Sequence, residues 1–324
     1  MDTVAVLEFE KPLVEVEKKV DALRAVAKAE DAGHRDLEHW ERRLSRLRKK
    51  VFGRLNRWQK VQLARHMDRP HAMDYVRGMV TEFFELHGDR LGFEDPAVVA
   101  GVGRLAGMPL VVIGHEKGRT PQERMQRRNA MAHPEGNRKA LRVMNLAERF
   151  RRPVLSLVDT PGAYPGVEAE ARGQVGAIAD NLLRWSTLRT PSVALIIGEG
   201  GSGGALALAM ADRVLMMEHA IYSVVSPEAC AAILWRDEGK KALAAEALKL
   251  TAMDALSLGL IHEIIQEPPG GAHRDPQGAI RASGETCLRH FLELLAYSEG
   301  ERLSRRRENY RRMGVVAEEE IRGR

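Results

Sequence analysis

The chain carries the run Ile196-Ile197-Gly198-Glu199-Gly200-Gly201-Ser202-Gly203-Gly204-Ala205-Leu206-Ala207, which decides how the rest of the sequence is interpreted. Apolar residues that predict a strand lead into five glycines, and an alanine-rich helix is predicted to begin near Gly203. Because glycine has no Cβ, a ligand oxygen can approach the backbone N–H groups of this turn closely. The positive end of the following helix favours negative charge at the same place. The run therefore predicts a site for an anion or an oxyanion.

The run by itself fits three motifs. Gly198, Gly200 and Gly203 have the spacing of a dinucleotide-binding fingerprint, although two strand units precede it where such a fold normally begins with it. Gly200, Ser202 and Gly204 have the spacing of a nucleophile elbow, in which Ser202 would be the nucleophile of a serine hydrolase. In the third interpretation, the backbone N–H groups of Gly203 and Gly204 form an oxyanion hole and need no side chain. The rest of the chain has to discriminate between them.

Composition limits the class of protein. With 324 residues and 44% hydrophobic residues, the chain can bury a large core. No apolar run approaches the ~18 residues of a membrane span and the start is unlike a signal peptide, so we expect a cytoplasmic protein with no membrane association. Cys230 and Cys287 are predicted to be small buried hydrophobes, because two distant cysteines make neither a disulfide framework nor a zinc site. Without an HExxH motif, no intrinsic metal is expected.

Basic residues are concentrated in one stretch of a chain whose net charge is only +5. Such a run is typical of a solvated face, or of a surface that binds a polyphosphate-bearing small molecule or an acidic partner protein. Nucleic acid is the weaker candidate, because no aromatic residues interleave the arginines. The stretch contains Lys117, Arg119, Arg124, Arg127, Arg128, Arg138, Lys139 and Arg142.

The N-terminal region has the apolar spacing of helices. From Lys11 to about Val61, apolar residues recur every three or four positions, which predicts two long helices. Ala32-Gly33-His34 breaks the pattern between them, so we expect an antiparallel helical hairpin. Residues 1–75 are predicted to form this helical docking region.

From Pro96 the pattern changes to strand, strand, helix. Residues 98–105 and 110–114 predict a β-hairpin that turns at Ala106-Gly107, and a helix follows near residues 137–150. Later segments predict strands at 154–158 and 192–197 and a second hairpin from strands at 214–217 and 221–225. Ser226 and Thr251 are predicted to cap helices. We assign residues 76–295 to one catalytic domain and 296–324 to a charged C-terminal helix or tail.

A second glycine-containing loop follows the strand before the glycine run. It comprises Asp159-Thr160-Pro161-Gly162-Ala163-Tyr164-Pro165-Gly166, and it too joins a strand to a helix. Successive strands would deliver both loops to one edge of a sheet. The sequence therefore favours the oxyanion interpretation, with backbone donors from two loops lining one pocket.

These loops and their neighbours resemble one protein family. The motifs are residues 159–166 with Glu170, Arg172, Gly173 and Gln174, residues 198–207, and Tyr222-Ser223-Val224-Val225-Ser226-Pro227-Glu228-Ala229-Cys230-Ala231, together with Gly114-His115-Glu116-Lys117-Gly118-Arg119 and Glu267-Pro268-Pro269-Gly270-Gly271-Ala272-His273-Arg274. They resemble the carboxyltransferase α subunit of bacterial acetyl-CoA carboxylase, from the N-terminal helical region to about residue 290. The sequence departs from the family pattern at Asn129-Ala130-Met131-Ala132-His133, where the family usually has a Phe-Gly pair, and this leaves the conformation of that loop open.

The resemblance implies an α/β, crotonase-like (ClpP/crotonase) fold, a spiral of strand-strand-helix units. It implies transfer of a carboxyl group from carboxybiotin, held on a carrier protein, to acetyl-CoA, giving malonyl-CoA for fatty acid synthesis. Gly203 and Gly204 would bind the biotin ureido oxygen. The substrate-binding wall would include Gly162, Ala163, Gly200, Gly201, Ala205, Lys117, Gly118 and Arg119.

The same resemblance implies partners. These are a zinc-bearing β subunit in an α2β2 assembly, a biotin carboxyl carrier protein and a biotin carboxylase. No cofactor would be bound covalently to this chain, and the basic cluster would meet CoA phosphates or an acidic partner surface. The alternatives are a serine hydrolase using Ser202 and a non-catalytic basic scaffold.

Overall fold

The computed structural model describes residues 6–30 and 34–314. Within them, eight strands form a single sheet: β1 Val80–Glu85, β2 Val98–Leu105, β3 Met108–His115, β4 Val154–Thr160, β5 Ser192–Gly201, β6 Arg213–Met217, β7 Ile221–Ser223 and β8 Glu263–Ile265. The helices are α1 Lys11–Glu30, α2 His34–Phe52, α3 Arg57–Ala64, α4 Ala72–Met79, α5 Pro121–Gln126, α6 Pro134–Arg149, α7 Val167–Ala171, α8 Gln174–Thr187, α9 Ser202–Ala209, α10 Pro227–Trp235, α11 Lys241–Leu248, α12 Ala252–Ser257, α13 Pro276–Leu295 and α14 Glu299–Arg311. No helix of these segments is long and apolar enough to span a membrane.

The sheet has the order β1-β2-β3-β4-β5-β6-β8. The predicted hairpin is confirmed as β2 and β3, which pair antiparallel and turn at Ala106 and Gly107 with φ of 47° and 82°. From β3 onward the neighbours are parallel. β4 and β5 are buried on both faces, as expected for central parallel strands.

The predicted second hairpin is wrong. β6 and β7 do not pair with each other, because each pairs parallel with a different part of β5. β6 lies along residues 193–196 of β5, whereas β7 lies along Glu199–Gly201. β5 runs through part of the glycine sequence to Gly201, which makes it long enough for two neighbours on one side.

The N-terminal hairpin is confirmed, with a shorter second helix. Arg24 pairs with Glu41 at 2.8 Å and Arg48 pairs with Glu17 at 2.8 Å, an order that only antiparallel helices allow. Of the predicted break, residues 32 and 33 lie outside the described residues. The second helix does not continue to Val61: it ends at Phe52, and the side chain of Asn56 caps a new helix by accepting the N–H of Gln59 at 2.8 Å.

Helices cover the sheet and bury its apolar side chains. α6, α8 and α9 pack together, and α9 contacts β4 and β5, while α4 packs on α13. Trp185 of α8 is fully buried and donates its indole N–H to the carbonyl of Ala207 in α9 at 2.9 Å. Cys230 and Cys287 are free and buried, as predicted, and burial raises the pKa of the Cys287 thiol to about 12.

The charged C-terminal segment forms a helix that docks on the domain. Arg302 and Arg306 of α14 are both buried. The guanidinium of Arg306 pairs with Asp212 at 2.8 Å and donates to the carbonyl of Leu188 at 2.9 Å. The charged composition of this segment gave no sign that it docks, because the residues that α14 buries are arginines and not apolar residues. The domain divisions at residues 75 and 295 remain predictions.

Candidate oxyanion site

The glycine run changes from strand to helix at one residue. Ser202 follows the last residue of β5 and begins α9, within one residue of the predicted start, and it has a left-handed φ of 51°. The first four N–H groups of a helix have no acceptor within the helix. The residue before α9 is Gly201, which provides no side-chain cap. The start of α9 therefore has backbone donors available for an external acceptor.

The two glycine loops lie at one edge of the sheet, as predicted, and they are in contact, although only the second of them in the chain lines the cavity beside Gly203. β4 and β5 are parallel neighbours, and Thr160 is paired with Gly200. A Cβ on Gly204 would lie 2.5 Å from the backbone nitrogen of Ala163 and 2.5 Å from the carbonyl carbon of Gly162. Only glycine at position 204 allows this approach. A Cβ on Gly203, in contrast, would meet only Ile178 Cδ1 at 3.9 Å, because this glycine faces open space.

A cavity of about 330 Å³ opens beside Gly203. Its described lining residues carry no charge: they are Ser202, Gly203, Leu206, Met210, Val214, Tyr222, Ser223, Val224, Leu260, Tyr310 and Met313. Burial raises the pKa of Tyr222 to about 12, so its hydroxyl stays neutral. The cavity suits a mostly apolar ligand that presents one polar oxygen to the turn.

The hydrolase interpretation lacks a base at this cavity. The left-handed Ser202 between a strand and a helix does match the backbone of a nucleophile elbow. However, an activated serine needs an adjacent base, and no histidine, aspartate or glutamate is among the described residues that line the cavity. The same backbone also serves an oxyanion site without any base.

A buried ion network lies behind the two loops. The ammonium of Lys117 is 2.7 Å from Asp159 and 2.9 Å from Glu199. Glu199 also pairs with Arg65 at 2.7 Å, and Arg65 pairs with Glu228 at 2.7 Å. Although burial alone raises the pKa of a carboxyl, Lys117 holds those of Asp159 and Glu199 below their usual range. All of these groups are therefore charged.

Several predicted binding residues lie away from the cavity beside Gly203. Lys117 lines a separate polar cavity of about 250 Å³, together with Arg65, Pro161 and Glu199. Arg119 pairs with Asp74, and Gly118 donates its N–H to Glu116 at 2.9 Å. By contrast Gly200, Gly204 and Ala205 are buried at the loops, and Gly201 is half-buried there. The substrate contacts of all these residues remain predictions.

The cations of the basic stretch are engaged in contacts within the chain. Each of its cations has a partner within the chain. Lys117, Arg119, Arg128, Arg138 and Lys139 pair with carboxylates, and Arg124, Arg127 and Arg142 donate to backbone carbonyls. Asp89, Glu94 and Asp95, which lie between β1 and β2, pair with three of these cations, so this short acidic segment was the signal in the sequence for such pairs.

The loop that departs from the family pattern supports the second glycine loop. Arg128, Asn129 and Ala130 are all left-handed, with φ of 51°, 50° and 64°. The carbonyl of Ala132 accepts the N–H of Tyr164 at 3.1 Å, and the ring of His133 stacks on Tyr164 with centroids 4.5 Å apart. The altered segment therefore holds Tyr164 in place next to Gly162 and Ala163.

Among the described residues, one buried group has ligand atoms near enough for a metal ion, and it lies beside the N-terminal hairpin. Glu10, His66 and His273 offer ligand atoms within 4.8 Å of one another. Glu10 already accepts from His273 at 3.0 Å and from Arg274 at 2.9 Å, and its pKa is lowered to about 2. A guanidinium on the same carboxylate opposes a bound cation. The expectation of no intrinsic metal stays a prediction.

Solved structures with the same fold are enzymes of carboxyl-group transfer and removal. The chain aligns with the β subunit of Pseudomonas aeruginosa geranyl-CoA carboxylase at 18% identity, TM-score 0.55, over 75% of this chain and 46% of that one. It aligns with the MdcD-MdcE heterodimer of Pseudomonas malonate decarboxylase at 20% identity, TM-score 0.53, over 67% of this chain and 89% of that one. The fold is thus the predicted crotonase-like α/β fold.

Closer relatives define the family. Residues 6–314 match the family model described as acetyl co-enzyme A carboxylase carboxyltransferase-like. The acetyl-coenzyme A carboxylase carboxyl transferase subunit alpha of Thermus thermophilus is 51% identical over 96% of this chain and 99% of its own length. That of Geobacter metallireducens is 50% identical over 96% and 98%. The chain belongs to the acetyl-CoA carboxylase carboxyltransferase α-subunit family.

Proposed function

We propose that this chain is one half of a carboxyltransferase that moves a carboxyl group from carboxybiotin, held on a carrier protein, to acetyl-CoA, giving malonyl-CoA. The observation that carries the proposal is the start of α9. There, no side-chain cap occupies the N–H groups of Gly203 and Gly204, and Gly203 lines an uncharged cavity of about 330 Å³. A bicyclic, mostly apolar ring with one ureido oxygen matches that cavity chemically.

The reaction develops charge where these donors lie. As the bond between biotin N1′ and the carboxyl carbon breaks, negative charge grows on the ureido oxygen. Fixed N–H groups in a site without water stabilise this charge, and one such donor contributes ~3 kcal/mol. The biotin anion then accepts a proton from the acetyl methyl group, whose carbon forms the new bond to the carboxyl carbon. This route needs no side-chain base, in keeping with the uncharged cavity lining.

A partner subunit completes the site. Apolar residues at the cavity are open to solvent: Leu206 is 41% exposed and Val224 is 76% exposed. Ile233 on the nearby α10 is 74% exposed. A β subunit that contributes the thioester pocket would cover this surface, since contiguous exposed apolar residues mark protein interfaces. We further propose that this β subunit carries the zinc, that the assembly is α2β2, and that it works in the cytoplasm with a biotin carboxyl carrier protein and a biotin carboxylase.

Reconstitution tests the proposal. The purified chain, the β subunit and an equimolar mixture are each assayed for malonyl-CoA formation from acetyl-CoA and carboxylated carrier protein. We expect activity only in the mixture. Propionyl-CoA in a parallel assay measures acyl selectivity. Full activity of the isolated chain, or none in a mixture that forms a stable complex, would overturn the proposal.

A further inference from the structure

The pairing of β4 with β5 is irregular just before the glycine loops. Val158 is paired with Ile196, but the next pair is Thr160 with Gly200. Three residues of β5, at positions 197–199, therefore face a single residue of β4, which is Asp159. A bulge of this kind removes ladder hydrogen bonds and redirects the chain beyond it. Its polar groups need other partners, because β5 is buried here.

Buried charged side chains supply hydrogen-bond partners for the backbone groups of this bulge. Asp159 Oδ1 accepts the backbone N–H of Glu199 at 2.8 Å. Arg69 Nε donates to the carbonyl of Ile197 at 2.7 Å, and its guanidinium pairs with Glu267 at 2.5 Å. Gly198 is required between them, because a Cβ there would lie 2.5 Å from Asp159 Oδ1. The bulge is thus held by ionic side chains in place of the ladder.

Lys117 joins the two strands at this point. Asp159 is the first residue of the loop that contains Gly162, and Glu199 directly precedes Gly200 and the turn into α9. The Lys117 ammonium lies 2.7 Å from the first carboxylate and 2.9 Å from the second. One buried cation therefore links the residues from which both loops depart. None of these three side chains lines the cavity beside Gly203.

We infer that Asp159, Glu199 and Lys117 are positioning residues that fix the spacing of the two glycine loops and hence the aim of the Gly203 and Gly204 N–H groups. This inference rests on the proposed function. A backbone displacement of about 1 Å at a reacting group costs about 100-fold in rate, so loosening the network lowers turnover without removing any ligand contact. Lys117, predicted as a substrate-binding residue, acts through the loops.

The experiment compares Asp159→Asn with a matched control, Asp212→Asn, each in the assembled complex with the β subunit. Both carboxylates are buried, pair with a buried cation and accept an N–H of β5 at 2.8 Å. In the control, Arg306 keeps the carbonyls of Trp185 and Leu188, so α14 remains docked. The measurements are kcat, KM for acetyl-CoA and the melting temperature.

For Asp159→Asn we expect kcat to fall about 100-fold while KM for acetyl-CoA changes less than about twofold, since that substrate's pocket belongs to the partner. Asp212→Asn should lower the melting temperature comparably and keep kcat within about twofold. If Asp159→Asn does not fold, Glu199→Gln, which retains an oxygen for Lys117, should lower kcat about tenfold. Wild-type kcat in a folded variant, or equal kcat losses in variant and control, would overturn the positioning role. A wild-type complex without transfer would overturn the proposed function itself.

Discussion

The two ends of β5 have the same kind of buried ion pair but different surroundings. At the first end, Asp212 accepts the N–H of Ser192 at 2.8 Å and pairs with Arg306 at 2.8 Å. Toward the other end, Asp159 accepts the N–H of Glu199 at 2.8 Å and pairs with Lys117 at 2.7 Å. In each case a buried carboxylate accepts a backbone N–H of β5 and pairs with a buried cation.

The surroundings of the two ion pairs differ. At Ser192 the strand is covered by α14, whose Arg306 also binds the carbonyls of Trp185 and Leu188. Beyond Glu199 come the glycines, and the N–H groups at the start of α9 adjoin a cavity. Buried ion pairs therefore anchor both ends, and only the end with the glycines carries the proposed site.

The largest effect is expected from Gly204→Ala. Its methyl group would lie 2.5 Å from backbone atoms of Gly162 and Ala163, so the loops must separate. Overpacking of this kind costs about 1–3 kcal/mol, and we expect loss of both stability and carboxyl transfer. The melting temperature and transfer rate are compared with those of Gly176→Ala, whose methyl group meets nothing within 4 Å. An unchanged melting temperature would show that the loops are not in contact.

At the other end of the strand, Asp212→Asn should lower the free energy of unfolding by about 2 kcal/mol, because one charged acceptor of Arg306 and Ser192 becomes neutral. Urea denaturation of the purified chain measures this loss. The exposed ion pair of Arg42 and Glu38 provides a control, since Glu38→Gln should change the same free energy by under about 0.5 kcal/mol. Equal losses would mean that burial adds nothing to the first pair.

Low pH should destabilise the protein near the glycine end of β5 through Glu267, the carboxylate that pairs with Arg69. Its pKa is lowered to about 2 despite burial, because Arg69, His219 and backbone N–H groups stabilise the carboxylate. The folded state therefore binds fewer protons than the unfolded chain, so this stabilisation is present above pH 4.5 and is lost as pH falls toward about 2. Unfolding free energies across this range should fall less steeply in Glu267→Gln than in the exposed control Glu15→Gln. Parallel curves would contradict this role.

The smallest effect is expected from Ser202→Ala. Ser202 lines a cavity whose described lining residues include no charged group and no base, so transfer by the assembled complex should stay within about twofold of wild type. A loss of 100-fold or more would restore the serine as a nucleophile. Steady-state kinetics under identical conditions decide this.

The features that local chemistry dictates could be predicted from the sequence. The two glycine loops, the hairpin of β2 and β3, and the caps at Ser226 and Thr251 all derive from residue types at fixed spacing, and each cap accepts the expected N–H, at 3.2 Å and 3.3 Å. The end of α2 could also have been predicted from the sequence, because Asn56 and Gln59 have the spacing of a capping box that begins a new helix, α3.

Other features depend on partners distant in the chain. The pairing of β7 with the end of β5 required knowing where β5 ends. Predicting the buried network would have required knowing that Lys117 pairs with residues 159 and 199. Single charged residues at strand ends have no periodicity that would indicate such pairs. The partners of the basic stretch could not be predicted for the same reason, since the carboxylates that pair with it lie on several distant elements and loops.

The central claim is that the turn into α9 holds the biotin oxygen, and Gly203→Val tests it most directly. This side chain would project into open space next to the cavity, with only Ile178 Cδ1 near its Cβ at 3.9 Å. In the complex with the β subunit, the melting temperature should stay within about 2 °C of wild type while carboxyl transfer falls at least about 100-fold. A folded Gly203→Val complex that transfers carboxyl groups at the wild-type rate would contradict the claim.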